Sequence, residues 1–234
     1  MSGTLFLGTS GYAYDEWKGV FYPEDVKVKD RLRYFASRFN SVEINYTFRR
    51  FPSEKTIANW ADQTPEDFRF TLKANQRITH HKRLEDTDED VRDFLDRARL
   101  LGPRLGCVLF QCPPTLTYDQ SLIERFVGYL PPDVRCAMEF RHASWLEARD
   151  LLSAQAVAWC VAETDDKDPG ERDFSWDPFG FLRLRKTTYE AGEVRAWADR
   201  IRPALAEGHD IFCYFKHEDE GASPQMADRL RTLL

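Results

Sequence analysis

The chain has 234 residues, of which 42% are hydrophobic and 31% charged, and a formal net charge of −6. That length buries about 70–75% of the unfolded surface, and the composition excludes a low-complexity or disordered chain. The acidic balance argues against a partner held by uniform charge attraction, such as nucleic acid or an anionic membrane surface, and no apolar run approaches the ~20 residues of a membrane span.

Met1-Ser2-Gly3 leads straight into a strand-like run, without the basic and apolar regions of a secretory leader, so a cytoplasmic location is expected. Eight short runs rich in Val, Ile, Leu, Phe and Cys then recur: Thr4 to Gly8, Ser41 to Asn45, Phe68 to Lys73, Gly106 to Gln111, Arg135 to Arg141, Ala158 to Glu163, Gly180 to Arg185 and Asp210 to Lys216. Between them, apolar residues at three- and four-residue spacing predict helices around Leu32, Phe35 and Phe39, at Ile57 with Trp60, and over Val91 to Leu101, Leu122 to Leu130, Trp145 to Leu152, Val194 to Leu205 and Met226 to Leu234. Ser53, Asp119, Ser144 and Ser223 before Pro224 are expected to cap helix starts. The sixth unit is irregular: 163–178 is a long acidic stretch with Pro and Gly and little helical period, read as a loop over the barrel mouth.

Strict alternation of strand and helix favours parallel strands, and eight repeats favour closure into a single-domain (β/α)8 TIM-type barrel over residues 1–234. The carboxyl ends of the strands then share one mouth, where polar groups distant in sequence meet. Side chains alternate along a strand, so apolar Val42 and Ile44 turn Glu43 and Asn45 inward. The same parity turns Thr71, Lys73, Glu139, Arg141, Arg183 and Arg185 inward and sets Gln111 on the face of Leu109. The expected mouth holds these groups with Glu163 and with Lys216 or His217.

Glu43 and Glu139 read as paired carboxylates for acid–base work from opposing walls of the barrel. Lys73 reads as a third catalytic residue, either paired with Glu43 or serving as a Schiff-base amine. Arg141, Arg183, Arg185 and Lys216 point to an anionic ligand, because guanidinium forks match phosphate and carboxylate. Asn45, Gln111 and His142 are candidate polar contacts to that ligand, and Tyr12 and Trp145 are candidate stacking surfaces. Of the five cysteines, Cys107, Cys136, Cys160 and Cys213 lie in strand-like runs as small hydrophobes, and only Cys112 stands where a nucleophile is worth testing. No metal-ligand set and no cofactor motif is assigned, and Glu139 with His142 gives weak support to a catalytic metal.

Gly8-Thr9-Ser10-Gly11-Tyr12, Trp17-Lys18-Gly19, Val42-Glu43-Ile44-Asn45, Phe70-Thr71-Leu72-Lys73-Ala74, Val108-Leu109-Phe110-Gln111 with Pro113-Pro114, and Glu139-Phe140-Arg141-His142 with Ser144-Trp145 occur in the order seen in one known group. On these motifs the chain resembles the YecE-like family of uncharacterised TIM-barrel proteins. The resemblance implies a TIM-type barrel whose biochemical activity is not established. Where that family often carries Arg-Leu-His-Gly, this chain has Arg183-Leu184-Arg185-Lys186, and in place of a common Asn-Asn-Asp run it has Lys216-His217-Glu218. Both departures make the expected site more cationic.

The sequence therefore predicts an enzyme using acid–base chemistry on a small anionic or sugar-like molecule at the mouth. The alternative is a nucleic-acid or phosphoester-binding barrel, non-catalytic or metal-dependent, in which the basic groups grip phosphate. No membrane partner is expected.

Overall fold

A computed structural model describes residues 2–168, 176–216 and 221–234. Among these residues eight strands are present: β1 (Leu5–Thr9), β2 (Ser41–Ile44), β3 (Arg69–Lys73), β4 (Leu105–Gln111), β5 (Cys136–Glu139), β6 (Val157–Glu163), β7 (Gly180–Leu184) and β8 (Ile211–Phe215). Each pairs in parallel with its sequence neighbour from β2 to β8, and β8 pairs with β1. The ring closes where β1 reaches β2. Ser10 and Glu43 form a parallel bridge there, and the Gly11 N–H donates to the Glu43 carbonyl at 2.8 Å. Lower in the seam the Asn40 side chain substitutes for backbone pairing, accepting from the Leu7 N–H and donating to the Leu5 carbonyl, both at 2.8 Å. Gly8 permits this approach, since a Cβ at that position would lie 1.8 Å from the Ser41 carbonyl oxygen. The expected TIM-type barrel is thus the fold observed.

Helices α1 (Arg31–Ala36), α2 (Glu54–Gln63), α3 (Asp88–Ala98), α4 (Gln120–Val127), α5 (Arg149–Ala154), α6 (Ala191–Glu207) and α7 (Ala222–Leu233) surround the strands. Their apolar stripes pack on the outward strand residues, so Val42, Phe70, Val108, Met138, Leu182 and Cys213 join Phe35, Ile57, Phe94, Phe126 and Ile201 in one large core. The interior of the barrel is a second, smaller core built from the other parity: Phe6, Cys107, Leu109, Ala137, Ala158, Cys160, Phe181, Phe212 and Tyr214. Tyr214 carries the only hydroxyl among these residues, and it exchanges hydrogen bonds with Ser41 and Thr71, both at 2.7 Å. This satisfied layer fills the barrel beneath the mouth and gives the charged groups above it a dry floor.

Ser53 and Asp119 cap α2 and α4 as expected, accepting from the Thr56 and Leu122 N–H groups at 3.2 and 2.9 Å. The other two expected caps are corrected. His142 caps a short 3-10 turn over Ala143–Ala148 that precedes α5, while the Ser144 hydroxyl accepts from the Tyr118 N–H at 2.9 Å. Gly221, at φ 70°, turns the chain into α7, which places Ser223 and Pro224 inside its first turn, where a missing N–H leaves no helical bond unmade. Between β6 and β7 no helix occurs among the described residues, and Thr164 bridges Lys167 in a tight turn. Residues 169–175 of the expected mouth loop, together with His217 and Glu218, lie outside the described residues. No helix among the described residues is long and apolar enough to cross a membrane.

Candidate functional site

Parity along β2, β5 and β7 brings Glu43, Glu139 and Arg183 together at the top of the interior, where they are 0%, 1% and 2% exposed. Arg183 lies between the two carboxylates: Nη2 donates to Glu43 Oε1 at 2.8 Å, and Nη1 donates to Glu139 Oε2. Ser10, at the end of β1, donates its hydroxyl to Glu43 Oε1 and accepts from Asn45 Nδ2 at 2.7 Å. Glu43 Oε2 is buried and has no hydrogen-bond partner among the described residues. On the other flank Arg141 Nε donates to Glu139 Oε1 at 3.1 Å, and Arg185 Nη1 stands 3.8 Å from the same oxygen.

Lys73 projects from the end of β3 into this cluster. Its Nζ donates to Gln111 Oε1 at 2.7 Å and sits 4.1 Å from the centre of the Phe48 ring. The expected pairing of Lys73 with Glu43 is replaced by these contacts, because Arg183 reaches Glu43 from across the barrel. The amide of Gln111 is held with its oxygen toward the amine, since Nε2 donates to the Cys112 carbonyl at 3.0 Å. Thr47 fixes the strand end beneath, donating to the Lys73 carbonyl at 2.6 Å.

Among the described residues four cations, Lys73, Arg141, Arg183 and Arg185, thus face two carboxylates, and burial together with this excess sets the protonation states. Burial alone would raise the Glu139 pKa, but Arg183, Arg141 and Arg185 outweigh it and hold the carboxyl at about 2. Burial, reinforced by Arg183, brings the Lys73 amine down to about 8 against the opposing pull of Glu43 and Glu139. Burial lowers Arg185 as well, and Arg183 adds to the effect. At neutral pH Glu139 therefore stays ionised and is a poor proton donor, whereas a fraction of Lys73 is the free amine.

The remaining expected site residues divide. Tyr12 and Asn45 line a cleft of about 390 Å³ beside the mouth, together with Tyr46 and Trp60. His142 is exposed at the rim, with Nδ1 2.8 Å from the Ser144 hydroxyl. Lys216 follows β8, and its N–H donates to the Leu184 carbonyl at 2.9 Å. Trp145 is not brought to the open mouth: it is fully buried, stacked on Phe140 at 4.1 Å, and its indole N–H donates to the Leu116 carbonyl at 2.7 Å. Glu163 is also corrected, since β6 turns Ala158, Cys160 and Ala162 inward and Glu163 outward. There it accepts from the Trp197 indole at 2.8 Å and pairs with Lys186 at 3.1 Å. Cys112 is buried, and desolvation pushes its thiol well above the ordinary range, which removes it as a nucleophile. Among the described residues no group of three or more His, Cys, Asp or Glu side chains is placed to hold a metal ion.

Ser10 was not among the expected site residues, nor was a contact of Phe48 with Lys73 expected. A serine directly after a strand whose glycine approaches the next strand is the signal for the first. Nothing in the spacing indicates that Phe48 covers Lys73. Two larger clefts, of about 540 and 470 Å³, open elsewhere, at the amino ends of the strands, where Leu5, Arg69 and Arg135 line them. Their charges are spent in partly exposed ion pairs such as Arg99–Asp133 and Arg135–Asp210, so they lack the buried converging groups of the mouth.

Residues 6–234 match the family model described as protein of unknown function DUF72. The chain belongs to the DUF72 family. It is 27% identical over 179 residues to UPF0759 protein YunF of Bacillus subtilis, covering 71% of this chain and 62% of that protein. It is 34% identical over 139 residues to UPF0759 protein YecE of Escherichia coli, covering 59% of this chain and 48% of YecE. The resemblance to YecE-like proteins read from the motifs is thereby borne out, and the chain spans about half to three-fifths of the length of these curated relatives. A DUF72 family protein from Thermotoga maritima shares the fold with a TM-score of 0.82 at 24% identity, over 98% of both chains. One from Enterococcus faecalis gives 0.80 at 15% identity, over 99% of this chain and 95% of that one. Family membership agrees with the barrel and assigns no reaction.

Proposed function

We propose that this DUF72 protein is an enzyme acting on a small phosphate- or carboxylate-bearing molecule at the carboxyl-terminal mouth of its barrel. The observation that carries the reading is the excess of positive charge there among the described residues, where four cationic side chains converge on two carboxylates. Arg183 is committed to both carboxylates and buried, so it belongs to the floor of the site. The side chains of Arg141 and Arg185 are 37% and 22% exposed, each touching Glu139 with one nitrogen, and they are the groups that would hold an arriving anion. Glu139, kept ionised by its three arginines, serves as their anchor. The acid–base role falls instead to Glu43, whose buried Oε2 has no hydrogen-bond partner among the described residues, and to Lys73.

Thermal unfolding in the presence of inorganic phosphate, sugar phosphates, small carboxylates and short oligonucleotides tests this reading. A ligand at ~100 times its dissociation constant stabilises by about 2.7 kcal/mol. Phosphate or carboxylate compounds are expected to raise the Tm of the wild type and not of Arg141→Ala/Arg185→Ala. No stabilisation by any small anion overturns the proposal. Stabilisation only by oligonucleotides, falling steeply with salt, turns it toward the nucleic-acid alternative.

A further inference from the structure

We propose that Lys73 is a covalent catalyst that forms an imine with an aldehyde or ketone carrying a phosphate or carboxylate group. The substrate class rests on the anion-binding reading above, while the imine rests on the surroundings of Lys73 itself.

A lysine kept only to balance charge at a buried site is held by a carboxylate, because the desolvation of an ammonium is repaid by a close ion pair. Among the described residues no carboxylate lies within ion-pair distance of Lys73, although Glu43 and Glu139 share the same mouth. The contacts it does make are an amide oxygen, Gln111 Oε1, and the Phe48 face. A neutral amine keeps the first of these, since it still has N–H groups to donate, whereas the Phe48 face favours the ammonium and covers the amine in either state. The groups facing the amine are Arg183, Arg141, Glu43, Glu139 and, from the turn after β3, His80. The two arginines and the two carboxylates offset one another in formal charge, so burial, the largest influence, favours the free amine, which is the nucleophile. Lys73 is only partly buried, so a small carbonyl compound can reach it, whereas Arg183 is enclosed below.

The step balances with the groups at hand. The amine lone pair forms a C–N bond to the carbonyl carbon, and the π pair moves to oxygen. One nitrogen-bound proton is transferred to that oxygen, giving a carbinolamine. The remaining nitrogen-bound proton is then lost as the C–O bond breaks with protonation of the hydroxyl, releasing one water and leaving the imine. Glu43 Oε2, buried and without a hydrogen-bond partner among the described residues, is the oxygen available to carry those protons. Arg141 and Arg185 hold the anionic end of the substrate, and the imine nitrogen, on taking up a proton from solvent water, withdraws electrons from the adjacent carbon, which suits C–C cleavage or condensation next to a carbonyl.

Borohydride trapping tests the proposal. The full chain is incubated with pyruvate, glyceraldehyde 3-phosphate or neutral glyceraldehyde, reduced with sodium borohydride, and mapped by peptide mass spectrometry. The expected result is a reduced adduct on the Lys73 peptide, about tenfold or more abundant with the anionic compounds than with the neutral one. The adduct is absent in Lys73→Arg, and Arg141→Ala/Arg185→Ala loses the preference for anions while neutral glyceraldehyde still labels Lys73. The wild-type peptide map locates the adduct whether or not the variants fold. Labelling of Lys73 no greater than that of exposed Lys18 overturns the imine, and if phosphate still stabilises the protein the anion reading survives it. Trapping at Lys73 without preference for anions keeps the imine and overturns the substrate class.

Discussion

Replacing Arg183 with methionine should be the most damaging single change at the mouth. The substitution keeps much of the side-chain volume and leaves Glu43 and Glu139, 0% and 1% exposed, as buried carboxylates without their shared partner. Removing one member of a buried ion pair costs about 3–5 kcal/mol. A second route gives a similar size: Glu139 is depressed from its ordinary value of 4.5 to about 2, which at 1.36 kcal/mol per unit corresponds to ~3 kcal/mol, with Arg183 the leading cause after burial is overcome. For a chain of this size ~3 kcal/mol lowers the Tm by about 6–12 °C. The pH dependence has a definite sign. A depressed carboxyl stabilises the fold above its unfolded pKa and loses that contribution as pH falls toward 2, so the wild type keeps it at pH 7. In the variant, burial acts on Glu139 with less opposition and raises its pKa, so the deficit is largest near neutral pH and shrinks as pH falls and the carboxyl takes up a proton. Urea denaturation followed by circular dichroism at about pH 7 and pH 4.5 measures both. A deficit below ~1 kcal/mol at neutral pH, or one that does not shrink on acidification, would refute the reasoning. The double variant Arg183→Met/Glu43→Gln removes the carboxylate that loses its ion-pair partner, while Glu139 keeps Arg141 and Arg185, and should recover part of the loss.

Other expectations concern residues outside that triad. Glu163→Gln weakens the contacts to Lys186 and Trp197 and is expected to cost about 1–3 kcal/mol. Because this carboxylate faces the helices, stabilisation by anions should be unchanged in Glu163→Gln, and its loss would place Glu163 at the mouth after all. The five cysteines are buried and free, so iodoacetamide at mildly alkaline pH should leave the native protein unlabelled and modify all five in urea. Rapid native labelling of Cys112 would restore it as a reactive thiol.

Much of the site was legible because strand parity is a local property. Val42 and Ile44 flanking Glu43, and Leu182 and Leu184 flanking Arg183, specify which side chains enter the barrel before any partner is known. Glu163 escaped the rule because it was read by its place at a strand end, whereas Ala158, Cys160 and Ala162 already mark the inward face of β6. Trp145 looked like a stacking surface for the same reason, and only the packing of Phe140 on one side and the Leu116 carbonyl at its edge show it to be core.

The sequence by itself determined the eightfold alternation, the ring of polar strand ends and the family motifs, since each depends on residues within a few positions of one another. The partners were decided by the closed barrel alone. Arg183 lies 140 residues from Glu43 and 44 from Glu139, and ring closure and strand register place its two nitrogens between their carboxylates. That arrangement takes Glu43 from Lys73, leaves the amine on Gln111 and Phe48, and so sets the charge states on which the proposed chemistry rests. Long-range pairing of this kind follows from geometry that no local spacing records, because strand register and barrel closure bring together side chains whose separation along the chain is arbitrary.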